Sequence, residues 1–195
     1  MRIGIGAVLP FAASVLGAGE GAATPSLCDT IAGNLVTNCG FESTTGWSPS
    51  ANFGQDPTDP HTGSFALPVE AGAIGLGLGP VQQTITTVSN DSYTLTFWAV
   101  KGALPPVTLD VSFGGTSVLT PTVTSTTYEE FTTTVTASST SSVLEFAAPG
   151  GSGGYGLLDD VSLVLASPTP APEPASLALL ATGLAGLTGL RRRRR

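Results

Sequence analysis

Positive charge is what this chain most conspicuously lacks. Between Arg2 and the C-terminal arginines the only basic residue is Lys101, whereas twelve acidic residues fall between positions 24 and 166, giving that segment a net charge of −11. A surface that acidic repels nucleic acid and other polyanions unless a divalent cation intervenes, so nucleic-acid binding is excluded. Histidine is nearly absent: His61 stands alone, with neither a Gly-x-Ser-x-Gly elbow nor a Ser-His-Asp order around it, which argues against a hydrolase. The adjacent carboxylates Asp159-Asp160 and Glu129-Glu130 are expected to point to opposite faces of a strand and so cannot flank one glycosidic bond. Gly72 to Gly79 lacks the lysine and following helix that phosphate binding requires. Cysteine is limited to Cys28 and Cys39. In an oxidising compartment the pair is read as a disulfide closing a short N-terminal loop; a metal pair is the alternative, but His61 cannot complete a soft-ligand zinc set.

What the chain does have is concentrated first at its ends. Arg2 precedes the apolar stretch Ile3 to Leu16, and small residues follow through Ala22-Ala23, the pattern of a secretory signal spanning 1–23. At the other end come Pro172-Glu173-Pro174, an uncharged run from Ala175 to Leu190, and then Arg191, Arg192, Arg193, Arg194 and Arg195. As a helix, 175–190 would be roughly 24 Å long, slightly short of the ~30 Å hydrocarbon core of a bilayer. The arginine block 191–195 is costly to translocate and would hold its end in the cytoplasm, which places the preceding chain outside. Pro172 and Pro174 break the helix before the span, and the proline-rich stretch 167–174 reads as a stiff spacer.

The order Pro-Glu-Pro, short apolar helix and terminal arginine cluster resembles the PEP-CTERM sorting signal of Gram-negative bacteria. That resemblance implies recognition by the membrane enzyme exosortase, attachment to the membrane through the C-terminal helix before processing, and a final place in the cell envelope or outside the cell, near exopolysaccharide. An ordinary tail anchor is the alternative.

The region 24–166 reads as a single all-β domain. Strand character marks Gln82 to Thr87, Tyr93 to Val100, Val107 to Phe113, Ser117 to Thr124, Glu129 to Thr136, Ser142 to Phe146 and Leu157 to Leu165, with turn chemistry between them. Short strands at this spacing, without an amphipathic helix, indicate a β-sandwich. Alternation assigns a core of Tyr93, Leu95, Phe97 and Ala99; Leu109, Val111 and Phe113; Phe131, Thr133 and Val135; Leu144 and Phe146; and Leu157, Val161 and Leu163.

Four elements in order frame this domain: Asn34 to Glu42 with Gly46-Trp47, then His61 to Leu67, then Tyr93 to Ala99, then Tyr155 to Leu163. Together they resemble the CenC-like carbohydrate-binding modules, jelly rolls of the galactose-binding-like type, although Cys39 stands where the family usually has glycine. The resemblance implies a structural calcium held by Glu42 and Asp159, with Asp160 as an alternative ligand and backbone carbonyls, for instance from the turn His61 to Gly63, completing the set. Parity is expected to put Asp159 on the side of Val161 and Leu163, where an unpaired carboxylate would be expensive. Trp47 reads as a core plug. Trp98, which alternates away from Leu95, Phe97 and Ala99, is the candidate glycan platform. The functional expectation is a secreted, non-catalytic envelope or matrix protein associated with extracellular polysaccharide; the alternatives are a glycan-binding module with an aromatic platform and, less favoured, a hydrolase.

Overall fold

Strands form where β-branched and aromatic residues alternate with hydroxyl-bearing ones, so that each ribbon has one apolar face to bury and one polar face for water. The computed structural model describes residues 24–48, 54–74, 77–78, 80–150 and 153–166. The secretory signal expected at 1–23 and the spacer, apolar helix and arginine cluster expected at 167–195 lie outside the described residues. Among the described residues no helix is long and apolar enough to cross a membrane.

The element order is a 3-10 turn at Leu27–Thr30, then β1 (Leu67–Glu70), β2 (Ala73–Ile74), β3 (Gly77–Leu78), β4 (Val81–Thr86), β5 (Ser92–Lys101), β6 (Val107–Thr108), β7 (Asp110–Phe113), β8 (Thr116–Leu119), β9 (Thr122–Val123), β10 (Glu129–Thr136), β11 (Ser141–Ala147) and β12 (Tyr155–Leu165). Six strands form one antiparallel sheet in the order β10-β5-β12-β1-β2-β3, and four form the second in the order β4-β11-β7-β8, with β6 and β9 paired as a short ribbon. This is a β-sandwich, as the strand pattern implies, and it is of the jelly-roll type that the resemblance implies. The stretch Val107 to Phe113 divides at Leu109, and Ser117 to Thr124 divides before Thr122, where Pro121 has no N–H to give a ladder but its carbonyl accepts from Leu109 N at 2.9 Å. Strands β1 to β3 escape the sequence pattern because Pro68 sits inside β1 and glycines surround the other two.

The core follows the expected alternation with one departure. Leu95, Phe97, Val111, Leu144, Phe146, Val161 and Leu163 are all fully buried in one cluster, against which Phe131 packs half-buried. Leu157 instead joins Ala66 and Val100 in a separate small cluster, and Leu158 takes the core position opposite Ala99. The cause is a register shift in β12 between Asp159 and Ser162, where Asp160 adopts a left-handed φ of 47°. One extra residue in a strand reverses the facing of everything on one side of it.

Residues 24–48 contribute only the 3-10 turn to regular structure, yet they are laced onto β12. Leu35 N donates to Leu163 O and Val161 N to Cys39 O. The Asn34 carboxamide donates to Cys28 O and Val161 O while accepting from Val36 N and Leu163 N. Cys28 and Cys39 form the expected disulfide, with Cα atoms 6.0 Å apart. Their sulfurs and Asp29 are the one group of potential metal donors that lies close together among the described residues, and with both sulfurs in the disulfide it is not a metal set.

Trp47 is 2% exposed, with its ring centroid 5.4 Å from that of Phe41 and 5.9 Å from that of Phe146, and its indole N–H donates to Asn38 O. It therefore bridges the irregular N-terminal segment to the four-stranded sheet. Trp47→Ala removes both the packing and the hydrogen bond, and it is expected to destabilise the fold by about 3 to 5 kcal/mol in a denaturant titration. A loss below about 1 kcal/mol would show that the site collapses freely and that the indole is no plug.

Candidate functional site

Three segments meet around the bulge of β12. Asp159 and Asp160 are 0% and 2% exposed, and both turn toward the loop at His61-Thr62, contrary to the expectation that adjacent strand carboxylates diverge. The left-handed backbone at Asp160 is what lets them converge. The Asp159 carboxylate accepts from the backbone amides of His61, Thr62 and Asp160. Asp160 accepts from Cys28 N at 3.1 Å and from the Thr62 hydroxyl at 2.6 Å, and it lies 2.7 Å from His61 Nδ1. Asp159 also differs from its expected side: it is the register partner of Trp98, on the face away from Val161 and Leu163.

Glu42 approaches the same loop from the N-terminal segment. Phe41, with a φ of 59° and a fully buried ring, turns the chain so that Glu42 Oε1 accepts from Ser64 N at 2.9 Å and Phe65 N at 3.1 Å. Ser26 is fully buried, with its hydroxyl 3.5 Å from the same oxygen. Gly63, at φ 71°, has to be glycine, since a Cβ there would overlap the Glu42 carboxylate. Burial first, and then the Asp160 charge, push the Asp159 carboxyl up to about 8. The only basic group in this constellation is His61. Carboxylate and hydroxyl oxygens are the ligand type a hard cation takes, but Glu42, Asp159 and Asp160 do not draw their oxygens into one close set of donors. The amides of His61, Thr62, Ser64, Phe65 and Asp160 donate to the Asp159 and Glu42 carboxylates.

Trp98 lies on the outer face of the six-stranded sheet, as its parity predicts, but it is not an open platform. The His61 ring stacks on it with centroids 4.2 Å apart and an interplanar angle of 18°. Tyr128 flanks His61 at 4.9 Å, and its hydroxyl donates to Asp59 O. Burial and the carboxylates of Asp159, Asp59 and Asp160 push that phenol above its ordinary range, so it remains a neutral donor.

An open groove of about 640 Å³ lies instead on the outer face of the four-stranded sheet. Gln82 of β4 pairs with Glu145 of β11, Glu145 with Ser112 of β7, and Ser112 with Ser117 of β8, so four polar side chains cross the sheet in one band. Asp110 joins them, and its carboxylate accepts from the Ser117 hydroxyl at 2.5 Å. Ser138 and Ser139 line the groove beyond the strands. These groove residues were not singled out from the sequence. Their signal was present as the outward positions between Leu109, Val111 and Phe113, and between Leu144 and Phe146. What was missing was the strand order that brings them side by side.

Residues 33–153 match the family model described as a carbohydrate binding domain, and residues 170–195 match the PEP-CTERM protein-sorting motif. Comparison with curated proteins gave no match. Among solved structures, a family 16 carbohydrate binding module is similar with a TM-score of 0.53 at 19% identity, covering 67% of this chain and 99% of the other. The CBM22-1 xylan-binding domain from Paenibacillus barcinonensis Xyn10C is similar with a TM-score of 0.50 at 14% identity, covering 67% and 93%. At these identities the likeness to both is one of fold. With most of its length matched by that domain model, the chain belongs to the carbohydrate binding domain family and carries a PEP-CTERM sorting motif at its C-terminus.

Proposed function

We propose that this protein is an exported, non-catalytic glycan-binding module that exosortase sorts to the envelope, where it associates with extracellular polysaccharide. The observation that carries the reading is family membership across 33–153 together with a sorting motif at 170–195. The organisation that follows is a signal peptide at 1–23, the binding domain at 24–166, a spacer at 167–174, a membrane helix at 175–190 and a cytoplasmic arginine cluster at 191–195. Exosortase acting near Pro172-Glu173-Pro174 would release the domain from its helix. Mass spectrometry of the mature envelope protein is then expected to find no peptide containing Arg191 to Arg195; intact protein as the stable form would make the tail a permanent anchor.

The groove on the four-stranded sheet is the better supported glycan site, because it is open and its hydrogen-bonding groups converge. Trp98 is the second candidate, favoured by its half-exposed aromatic ring, though a sugar stacking on its covered face would have to displace His61. Affinity electrophoresis of the full-length protein against the host's own exopolysaccharide separates the two. Gln82→Ala is expected to weaken retardation several-fold, the share of a hydrogen bond worth ~1 kcal/mol, while Trp98→Ala leaves it unchanged. The reverse pattern would place the ligand on Trp98.

The structural calcium is part of the same proposal, with Glu42 and Asp159 as ligands and Asp160 as the alternative. Folded Asp159 keeps a proton up to about pH 8 that an unfolded aspartate loses near ~3.9, so without calcium the stability falls as pH rises between those values. Calcium binds the ionised form and raises stability by mass action, most strongly at the upper end of that range. Thermal melts of the full-length protein are expected to show a chelator-treated melting temperature that declines from about pH 5 to pH 8 and a calcium-loaded one that does not. Asp159→Ala should abolish the difference between the two buffers. Coincident melts at about pH 8 would remove calcium from the protein.

A further inference from the structure

The groove that carries the glycan-binding reading has a charge that selects among glycans. Its acidic members, Asp110 and Glu145, are half-buried on adjacent strands, with Glu145 opposite Ser112 and Asp110 opposite Ala147, so the two carboxylates are diagonal neighbours on one face. No basic side chain lines the groove. Lys101, the domain's single lysine, belongs to β5 in the other sheet, where its ammonium donates to Gly102 O. The lining also contains no aromatic ring, so stacking, the usual source of sugar affinity, is not available there. Affinity must come chiefly from polar contacts, and the strongest of these join an ionised carboxylate to a cationic donor.

We propose that the groove binds a glycan bearing free amino groups, a hexosamine polymer that is at least partly de-N-acetylated. This rests on the glycan-binding reading and names its substrate class. A protonated sugar amine would donate to Glu145 or Asp110, while Gln82 and the Ser112 and Ser117 hydroxyls would meet neighbouring ring hydroxyls. The Ser117 hydroxyl, donating to Asp110, holds that carboxylate in place. The band from β4 to β8 spans three inter-strand spacings of ~4.8 Å, roughly 14 Å, long enough to engage more than one sugar unit. An anionic glycan meets two carboxylates with no basic side chain beside them in the groove and is repelled. N-acetylation removes the charge on which the contact depends.

The test is isothermal titration of the full-length protein, in a detergent without a sugar headgroup, with glucosamine oligomers, N-acetylglucosamine oligomers and oligogalacturonate. At about pH 6, where an amine with a pKa near ~7.7–8 is protonated, glucosamine oligomers are expected to bind about tenfold tighter than their N-acetylated counterparts, and oligogalacturonate not at all. Glu145→Gln and Asp110→Asn should each weaken glucosamine binding about tenfold, the size of one lost charge-assisted contact, and binding should fade as pH passes the amine's pKa. Because the whole domain is acidic, Glu70→Gln and Glu129→Gln, away from the groove, serve as controls and should change nothing. Equal losses in these controls would mean that a polycation is merely adsorbing to an acidic surface, and would overturn the proposal. Equal or tighter binding of N-acetylated or anionic oligomers, sensitive to Gln82→Ala, would also overturn it while leaving the glycan-binding reading intact. Failure of the folded protein to retain any of the three probes or the host polysaccharide would remove that reading and this one together.

Discussion

Two adjacent carboxylates buried in the last strand constrain the rest of this domain. A carboxylate taken out of water without donors is costly, and two side by side repel each other as well. Here the cost is met by N–H and O–H donors drawn from three separate places: Cys28 in the N-terminal turn, His61 and Thr62 in a loop, and the backbone of β12 itself. Those segments are therefore obliged to assemble together. The left-handed residue Asp160 is the hinge of the arrangement, since a regular strand would send one carboxylate to each face. The same bulge sets the facing of β12, so the apolar core and the acidic cluster are consequences of one backbone irregularity.

The N-terminal segment is held by that assembly and returns something to it. It forms almost no regular structure, yet Asn34 uses its whole carboxamide on β12 and on its own neighbours, Phe41 and Trp47 fill the core, and Glu42 organises the loop after Gly63. The disulfide between Cys28 and Cys39 closes the segment on itself. A loop this irregular is stable because its backbone groups find specific side-chain partners rather than a ladder. The domain is thus tied together at the junction of loop and strand as well as between the two sheets.

Trp98, His61 and Tyr128 pack together on the outer face of the six-stranded sheet, and the open groove lies on the four-stranded sheet. Its groove combines a carboxamide, hydroxyls and carboxylates without an aromatic ring, which is a departure from the aromatic platform that the sequence invites one to seek at Trp98. Recognition on such a surface depends on hydrogen-bond geometry and on charge, both of which discriminate between chemically similar sugars more sharply than stacking does.

Much of this was legible in the amino-acid order. The sorting tail is read from Pro172-Glu173-Pro174, an apolar run and five arginines because local composition alone creates that signal, and the all-β class and most of the core follow from a period of two, which needs no knowledge of partners. The inward faces at Leu95, Phe97, Val111, Leu144 and Phe146 belong to the same kind of information. What only the tertiary structure decided depends on register: that Asp160 is left-handed and turns Asp159 and Asp160 to one cluster, that Leu158 rather than Leu157 faces the core, that His61 covers Trp98, and that Gln82, Glu145, Ser112 and Ser117 align into one band. A bulge costs little locally and leaves no compositional mark, and strand order joins residues tens of positions apart. Both are set by long-range pairing, in which the alternation of a single strand has no say.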